Sequence, residues 1–159
     1  ESATLIGKIY FAPCGATQTL CVDPAAQTAE LLGPEVHGVA KYQAPGVFAE
    51  DGKIYFVPYV AKRILCIDPA ASSAELWGPH FEGLAKYWAP GVLAPDGRAH
   101  FAPSDASRVL CLDPAAQVAE PVGPEMPGLA KHWAPGVLAR NGATYFAPHG
   151  TDRVLCINP

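Results

Sequence analysis

The chain has 159 residues, half of them apolar, and a formal net charge of −4 at pH 7. This length can bury the core of one domain, whereas only 11 basic residues argue against a nucleic-acid-binding surface. No apolar run approaches the roughly 20 residues that cross a bilayer, so we expect no transmembrane segment.

The sequence repeats itself with a period of 45 residues. The run "KYQAPGVFAEDGKIYFVP" begins at Lys41 and returns, with a few substitutions, from Lys86 and from Lys131. Self-similarity at this period is typical of repeat architectures such as solenoids and propellers. We therefore expect one repeat domain over 1–159, with units near 1–40, 41–85, 86–130 and an incomplete unit at 131–159.

Each unit is predicted to hold four short strands. In the first unit they lie near 3–6, 8–13, 19–23 and 29–33, and the later units follow the same scheme. These segments are rich in β-branched and aromatic residues and are bounded by Pro, Gly or Asp. The 17 prolines spread along the chain leave no room for a helix of ordinary length. The unit is therefore predicted to be a four-stranded antiparallel meander.

The turn between the first two strands has its own signature. Asp51-Gly52, Asp96-Gly97 and Asn141-Gly142 occupy this place in successive units. Both residues of such a pair tolerate positive φ, which favours a two-residue hairpin turn with the twist of the flanking strands.

The third strand of each unit indicates how the sheets are arranged. "ILCID" and "VLCLD" are apolar at successive positions, whereas a sheet with one wet face alternates apolar and polar residues. These strands are therefore expected to be covered on both faces. Small sheets stacked face to face achieve this, and the predicted fold is an all-β, partial β-propeller with three full four-stranded blades and an incomplete fourth.

A family resemblance supports this architecture. The composite run "APGVLAPDGKIYFVP…RILCIDP", taken from adjacent units, resembles the blades of NHL-, YVTN- and kelch-type propellers. The resemblance covers essentially the whole chain and implies a blade architecture. It implies no single function, since such propellers include enzymes, lectins and scaffolds. The kelch double glycine and the Trp-Asp dipeptide of WD repeats are absent, so no subfamily is assigned.

The repeat stops before its last unit is complete. The last unit lacks a fourth strand, and the chain starts at Glu1 with no signal-like stretch after it. An open arc of blades would expose sheet faces and edges. Two interpretations stay open: the chain is part of a longer propeller, or protein partners or additional copies complete the ring. Two copies would total seven units.

The loops are expected to gather at two ends of the molecule. Turns joining strands one to two and three to four share one end, the hairpin end, where acidic side chains outnumber basic ones. The other loops, including the long ones that join units, share the long-loop end, where basic side chains outnumber acidic ones. This asymmetry can orient a partner.

The long-loop end carries the candidate binding site. A lysine beside an aromatic residue recurs there in three of the four units, and arginines follow in the shorter loops, which suits an acidic peptide, a glycan or a small anion. The alternative is structural, with the tryptophan wedged between blades and the lysine stem laid over it. The candidates are Lys41, Tyr42, Arg63, Lys86, Tyr87, Trp88, Arg108, Lys131, His132, Trp133 and Arg153.

Four cysteines share one register, at Cys21, Cys66, Cys111 and Cys156. Stacked sheets lie about 10 Å apart, beyond the ~7 Å that a disulfide spans and beyond the reach of one zinc ion. We expect buried apolar residues, no metal and no cofactor, and a slight preference for a reducing intracellular compartment. His100, which replaces a tyrosine of the other units, is expected to be a core substitution.

The near-identity of the units guides the functional prediction. An enzyme is expected to concentrate its differences in one or two blades, so interchangeable units argue against a catalytic centre. The sequence therefore predicts a non-catalytic protein-interaction or scaffold module within a larger assembly. The alternative is a lectin-like propeller that binds a glycan or small anion with one site per blade.

Overall fold

A computed structural model describes residues 7–158. Within this range the chain forms strands and turns and no helix, and hence no helix that could cross a membrane. The strands are short, with two to five residues each. In chain order they are β1 Ile9–Phe11, β2 Thr19–Asp23, β3 Thr28–Leu32, β4 Val47–Phe48, β5 Ile54–Phe56, β6 Ile64–Asp68, β7 Ser73–Trp77, β8 Val92–Leu93, β9 Ala99–Phe101, β10 Val109–Asp113, β11 Val118–Val122, β12 Val137–Leu138, β13 Thr144–Phe146 and β14 Leu155–Ile157.

The strands form four antiparallel meanders, each with its strands in chain order. Sheet 1 contains β1–β3, sheet 2 contains β4–β7, sheet 3 contains β8–β11 and sheet 4 contains β12–β14. The predicted four-stranded meander is confirmed for sheets 2 and 3. The strand expected near 3–6 falls outside the described residues.

The turn between the first two strands differs from the prediction. Only the glycine has positive φ, at +80° for Gly52, while Asp51 does not. The Asp51 carboxylate instead accepts a hydrogen bond from Lys53 N at 3.1 Å, and Gly52 N donates to Ala49 O. This is a three-residue loop, a type I turn followed by a left-handed glycine. The aspartate is selected as an acceptor, not for positive φ.

The sheets stack face to face, and successive sheets contact each other through the same pair of faces. We define the front face of a sheet as the side bearing the cysteine of its third strand, and the back face as the opposite side. The front of sheet 2 (Val47, Tyr55, Cys66) packs in one core cluster with the back of sheet 3 (Phe101, Leu110). The front of sheet 1 likewise packs on the back of sheet 2. This doubly covered stacking is the arrangement predicted for a β-propeller, and the fold prediction is confirmed.

A glycine precedes each two-residue inner strand because a phenyl ring occupies the space of its side chain. A Cβ at Gly91 would lie 2.2 Å from the Phe101 ring, and one at Gly136 would lie 2.5 Å from the Phe146 ring. The repeated "APGV" of the sequence therefore encodes close packing of the inner strand on the second strand.

Candidate functional site

The long-loop end is formed by two kinds of loop that bond to each other. In two successive unit-joining loops a backbone amide donates a hydrogen bond to the adjacent short loop: Val36 N to Thr17 O at 2.7 Å, and Phe81 N to Lys62 O at 2.8 Å. In return Tyr59 N donates to Lys41 O at 2.9 Å. These backbone bonds fix the loops that carry the candidate residues against one another.

The three repeated lysines are buried beneath the loops of the long-loop end and do not lie on its surface. Lys41, Lys86 and Lys131 are buried, and each ammonium donates to the carbonyl of the glycine three residues earlier, at 2.6 to 2.7 Å. Burial lowers the pKa of Lys86 and of Lys131. Each ammonium therefore ties its own loop together instead of facing a ligand.

The alanine before each lysine adopts a left-handed conformation. Ala40, Ala85 and Ala130 have φ of +51°, +49° and +50°. A non-glycine residue pays about 1–2 kcal/mol for this conformation. In this conformation the alanine carbonyls accept hydrogen bonds from the neighbouring short loop. Ala40 O accepts from Val60 N, and Ala130 O accepts from Gly150 N.

The residues after the lysines are buried wedges. Tyr42 and Tyr87 donate their hydroxyl groups to Arg63 O at 3.0 Å and Arg108 O at 3.4 Å, and burial raises the pKa of both. His132 takes the same place in the next loop, with Nδ1 3.2 Å from Ala147 O. Burial lowers the pKa of His132, although the carbonyl opposes this shift. The wedge role expected for tryptophan thus belongs to these residues.

The tryptophans form a partly exposed aromatic strip with two further rings. We define the aromatic strip as Tyr59, Trp88, Trp133 and His149. Successive ring centroids lie 5.3, 5.6 and 3.9 Å apart, and the last pair is stacked. Ser104 Oγ accepts a hydrogen bond from Trp133 Nε1 at 3.2 Å, which anchors the strip at its centre. The four rings therefore form a continuous aromatic surface across the loops of three sheets, with Trp133 fixed by a hydrogen bond.

The candidate arginines have separate partners. Arg63 donates from Nε and Nη2 to Gly78 O, and Arg108 pairs with Glu125 at 3.3 Å. Arg153 is almost fully exposed beside Asp152. The three lysines are buried, Arg63 bonds a backbone carbonyl, and Arg108 and Arg153 lie beside carboxylates. Within residues 7–158 these candidates therefore form no concentrated positive patch at the long-loop end.

One set of surface residues was missed by the sequence reading. Val39, Leu84 and Leu129 stand at the same position of three successive loops and are 74%, 70% and 69% exposed. A large aliphatic side chain so exposed, at each repeat, leaves apolar surface on one end of the molecule. The available signal was an aliphatic residue after glycine in "HGVAK", "EGLAK" and "PGLAK", where the neighbouring loop positions are polar or small.

The cysteines and the shorter loops complete the inventory of candidates. Cys66 is buried, burial raises the pKa of its thiol to about 11, and Cys156 is exposed on the last sheet. No group of three potential metal ligands lies together among residues 7–158. One equivalent position of the short loops holds a different residue in each unit: Cys14, Tyr59, Ser104 and His149.

Comparison with known proteins gives the fold. No family model and no curated protein matches the chain. A virginiamycin B lyase from Staphylococcus aureus matches with a TM-score of 0.71 and 14% identity over 96% of this chain and 49% of its own. A streptogramin B lyase matches at 0.69 and 16% over 96% and 48%. An auxiliary nutrient binding protein from Bacteroides ovatus matches at 0.61 and 14% over 99% and 36%. The chain spans about half the length of the two lyases.

These matches correct one prediction. The sequence was expected to belong to a non-enzyme because its units are nearly interchangeable, and this inference is wrong, since the matched structures include virginiamycin B and streptogramin B lyases. The physical reason lies in the loops. Strands that must stack alike stay alike, while a single loop position can differ in each unit, as Cys14, Tyr59, Ser104 and His149 do.

Proposed function

We propose that the long-loop end is a protein-recognition surface and that the chain acts as an interaction module of a larger assembly. The observation that carries the proposal is the exposure of Val39, Leu84 and Leu129 at one repeated loop position. Exposed apolar surface of this kind marks interaction sites on folded proteins.

The surroundings of these residues suit a protein partner. The aromatic strip supplies Trp88 and Trp133, each more than one-third exposed, and tryptophan and tyrosine are enriched among the residues that dominate binding energy. A groove of about 450 Å³ lies beside Val39, lined by Val36, Val60 and Leu76 on its apolar side. An apolar side chain of a partner fits such a groove.

The charges of this end disfavour a small anion or an acidic peptide. The lysine ammonium groups that would attract it are buried and bonded to loop carbonyls. A second candidate is a glycan, because Trp88 and Trp133 offer apolar rings with the polar Ser104 and Asp105 beside them. The nutrient binding protein among the matched structures is consistent with a ligand-binding role.

The test compares two variants of the same loops. In a triple variant, Val39→Ser, Leu84→Ser and Leu129→Ser, the apolar surface is removed without touching buried contacts. In the control, Arg63→Ser, a polar side chain of the same end is removed. Affinity capture from the source cells with quantitative mass spectrometry is expected to recover one fixed protein with the wild type and the control, and to lose it at least tenfold with the triple variant.

A glycan array on the same proteins separates the two candidates. Glycan binding that is lost in Trp88→Ala/Trp133→Ala but kept in the triple serine variant would favour the glycan and contradict the protein-recognition proposal. A captured protein that is retained equally by all variants would contradict it as well.

A further inference from the structure

Among residues 7–158 no sheet covers the front face of sheet 4, although several equivalent positions are buried in the other sheets. Val154 is 60% exposed, whereas the equivalent Ile64 and Val109 are 0% and 4% exposed. Val137 and Tyr145 are exposed too, and their equivalents Val47 and Tyr55 are buried in sheet 2. Within residues 7–158, sheet 4 therefore presents a front face on which no other sheet packs.

The back face of sheet 1 shows the reverse situation. Phe11 is half exposed, whereas Phe56, Phe101 and Phe146 at the same position are buried. Ile9 and Leu31, which share this face, are exposed as well. The two end faces thus carry the two halves of the junction that the chain builds internally.

Their complementarity is visible at the internal junctions. Across the junction of sheets 2 and 3, Tyr55 and Cys66 of a front face pack with Phe101 and Leu110 of a back face. The front of sheet 4 offers Tyr145 and Cys156, and the back of sheet 1 offers Phe11 and Leu20, at the same register positions. A front-on-back contact between copies would repeat an interface that already exists three times in the chain.

We infer that a second copy of this chain docks head to tail, with the front of sheet 4 on the back of sheet 1 of the other copy at both junctions. The two copies close one ring of eight sheets, within the range of known propellers. The repeat count of seven units understates the number of sheets, because the incomplete last unit still forms sheet 4. The chain matches about half of a lyase propeller, so two copies supply about one ring.

This arrangement keeps all sheets in one orientation about the axis, as cyclic symmetry requires. Both long-loop ends therefore lie on the same side of the ring. The second copy would add its own tryptophans and its own Val39, Leu84 and Leu129 to that side. The recognition surface of the long-loop end would then occur twice, related by the two-fold axis.

The test measures mass in solution for the 159-residue chain. Light scattering after size exclusion is expected to give twice the 16.7 kDa of one chain. Val154→Glu on the front face and Phe11→Glu on the back face are each expected to give monomers, because either change damages both junctions. Leu84→Glu, at a more exposed apolar site on the long-loop end, is the control and is expected to stay dimeric. Circular dichroism of each variant checks that the monomers are folded.

Mixing the two variants distinguishes head-to-tail docking from any symmetric pairing. A Val154→Glu chain and a Phe11→Glu chain still share one intact junction, so their mixture is expected to form a heterodimer although neither dimerises alone. A monomeric wild type would overturn the proposal. So would a dimer that survives either charge, a species that grows beyond two copies, or a mixture that stays monomeric.

Discussion

At the scale of single residues, one position of the second strand shows how the repeat tolerates an exception. Tyr55 donates its hydroxyl to Asp51 Oδ2 at 2.7 Å beneath the hairpin turn. His100 occupies the equivalent place in sheet 3, and its buried Nδ1 finds no partner among the described residues. Asp96 stands where Asp51 stands in the preceding unit. The substitution therefore leaves a polar atom unsatisfied in a site built for a tyrosine.

His100→Tyr is expected to stabilise the chain. The new hydroxyl can bond Asp96 as Tyr55 bonds Asp51, and a hydrogen bond of this kind contributes about 1 kcal/mol. Urea unfolding at pH 7.5, compared with the wild type, measures the change in free energy. The reverse change, Tyr55→His, is expected to destabilise sheet 2 and serves as the matched control.

The same variant also tests a pH dependence. Burial lowers the pKa of His100 below its ordinary value of 6.5, so the folded state binds fewer protons than the unfolded state as the pH falls through about 6.5. Stability present above that pH is lost below it. Melting temperatures between pH 7.5 and 5.5 are expected to fall less in His100→Tyr, with the remaining loss due to His132, whose pKa is lowered too. Equal losses in both proteins would contradict this assignment.

The fate of the repeated lysines shows where residue-level prediction stops. The sequence identified Lys41, Lys86 and Lys131 as surface candidates, because a lysine in a loop ordinarily reaches into water. The structure buries them after a left-handed alanine. Alanine gives no sequence signal for positive φ, unlike glycine or asparagine, so the direction of the lysine could not be foreseen.

At the scale of the elements, the hairpin turn is the most sharply defined feature. Gly52, Gly97 and Gly142 have φ of +80°, +83° and +83°. A Cβ on Gly52 would meet no atom of the described residues within 4 Å, so the expected penalty there is conformational. The sequence located this turn correctly and assigned the wrong type. The dipeptide fits both types, and hydrogen bonding of the aspartate decides between them.

Gly52→Ala is expected to cost about 1 kcal/mol, since alanine must enter the left-handed region. Gly15→Ala is the matched control, because Gly15 also has open space around it and does not have positive φ. Its substitution is expected to be neutral or slightly stabilising, through loss of freedom in the unfolded chain. Chemical denaturation of both variants measures the difference, and equal costs would argue against the turn geometry.

At the scale of the whole molecule, the stack follows from the strands that bear the cysteines. "ILCID" predicted a strand covered on both faces, and residues 64–67 are all buried. The sequence could not predict how exposed the terminal sheets are, since Cys66 and Cys156 lie in nearly identical segments, "ILCID" and "VLCIN". Their exposure differs because sheet 3 packs on the face of sheet 2 that bears Cys66, whereas no sheet within residues 7–158 packs on the face of sheet 4 that bears Cys156.

If two copies close the ring, folding and association are linked. Mass action then stabilises the folded dimer as the protein concentration rises. The melting temperature is expected to increase over a concentration range on the order of a hundredfold, and to be constant for the Val154→Glu variant. Scanning fluorimetry at several concentrations measures both. A wild-type melting temperature that does not vary would contradict the linkage.

The front-on-back contact between sheets has an evolutionary consequence. Because every junction joins the same two surfaces in the same order, an unequal crossover that inserts or deletes 45 residues creates no unmatched boundary inside the stack. The gene can therefore change its number of units in one event, while selection needs to act only on how the arc is closed.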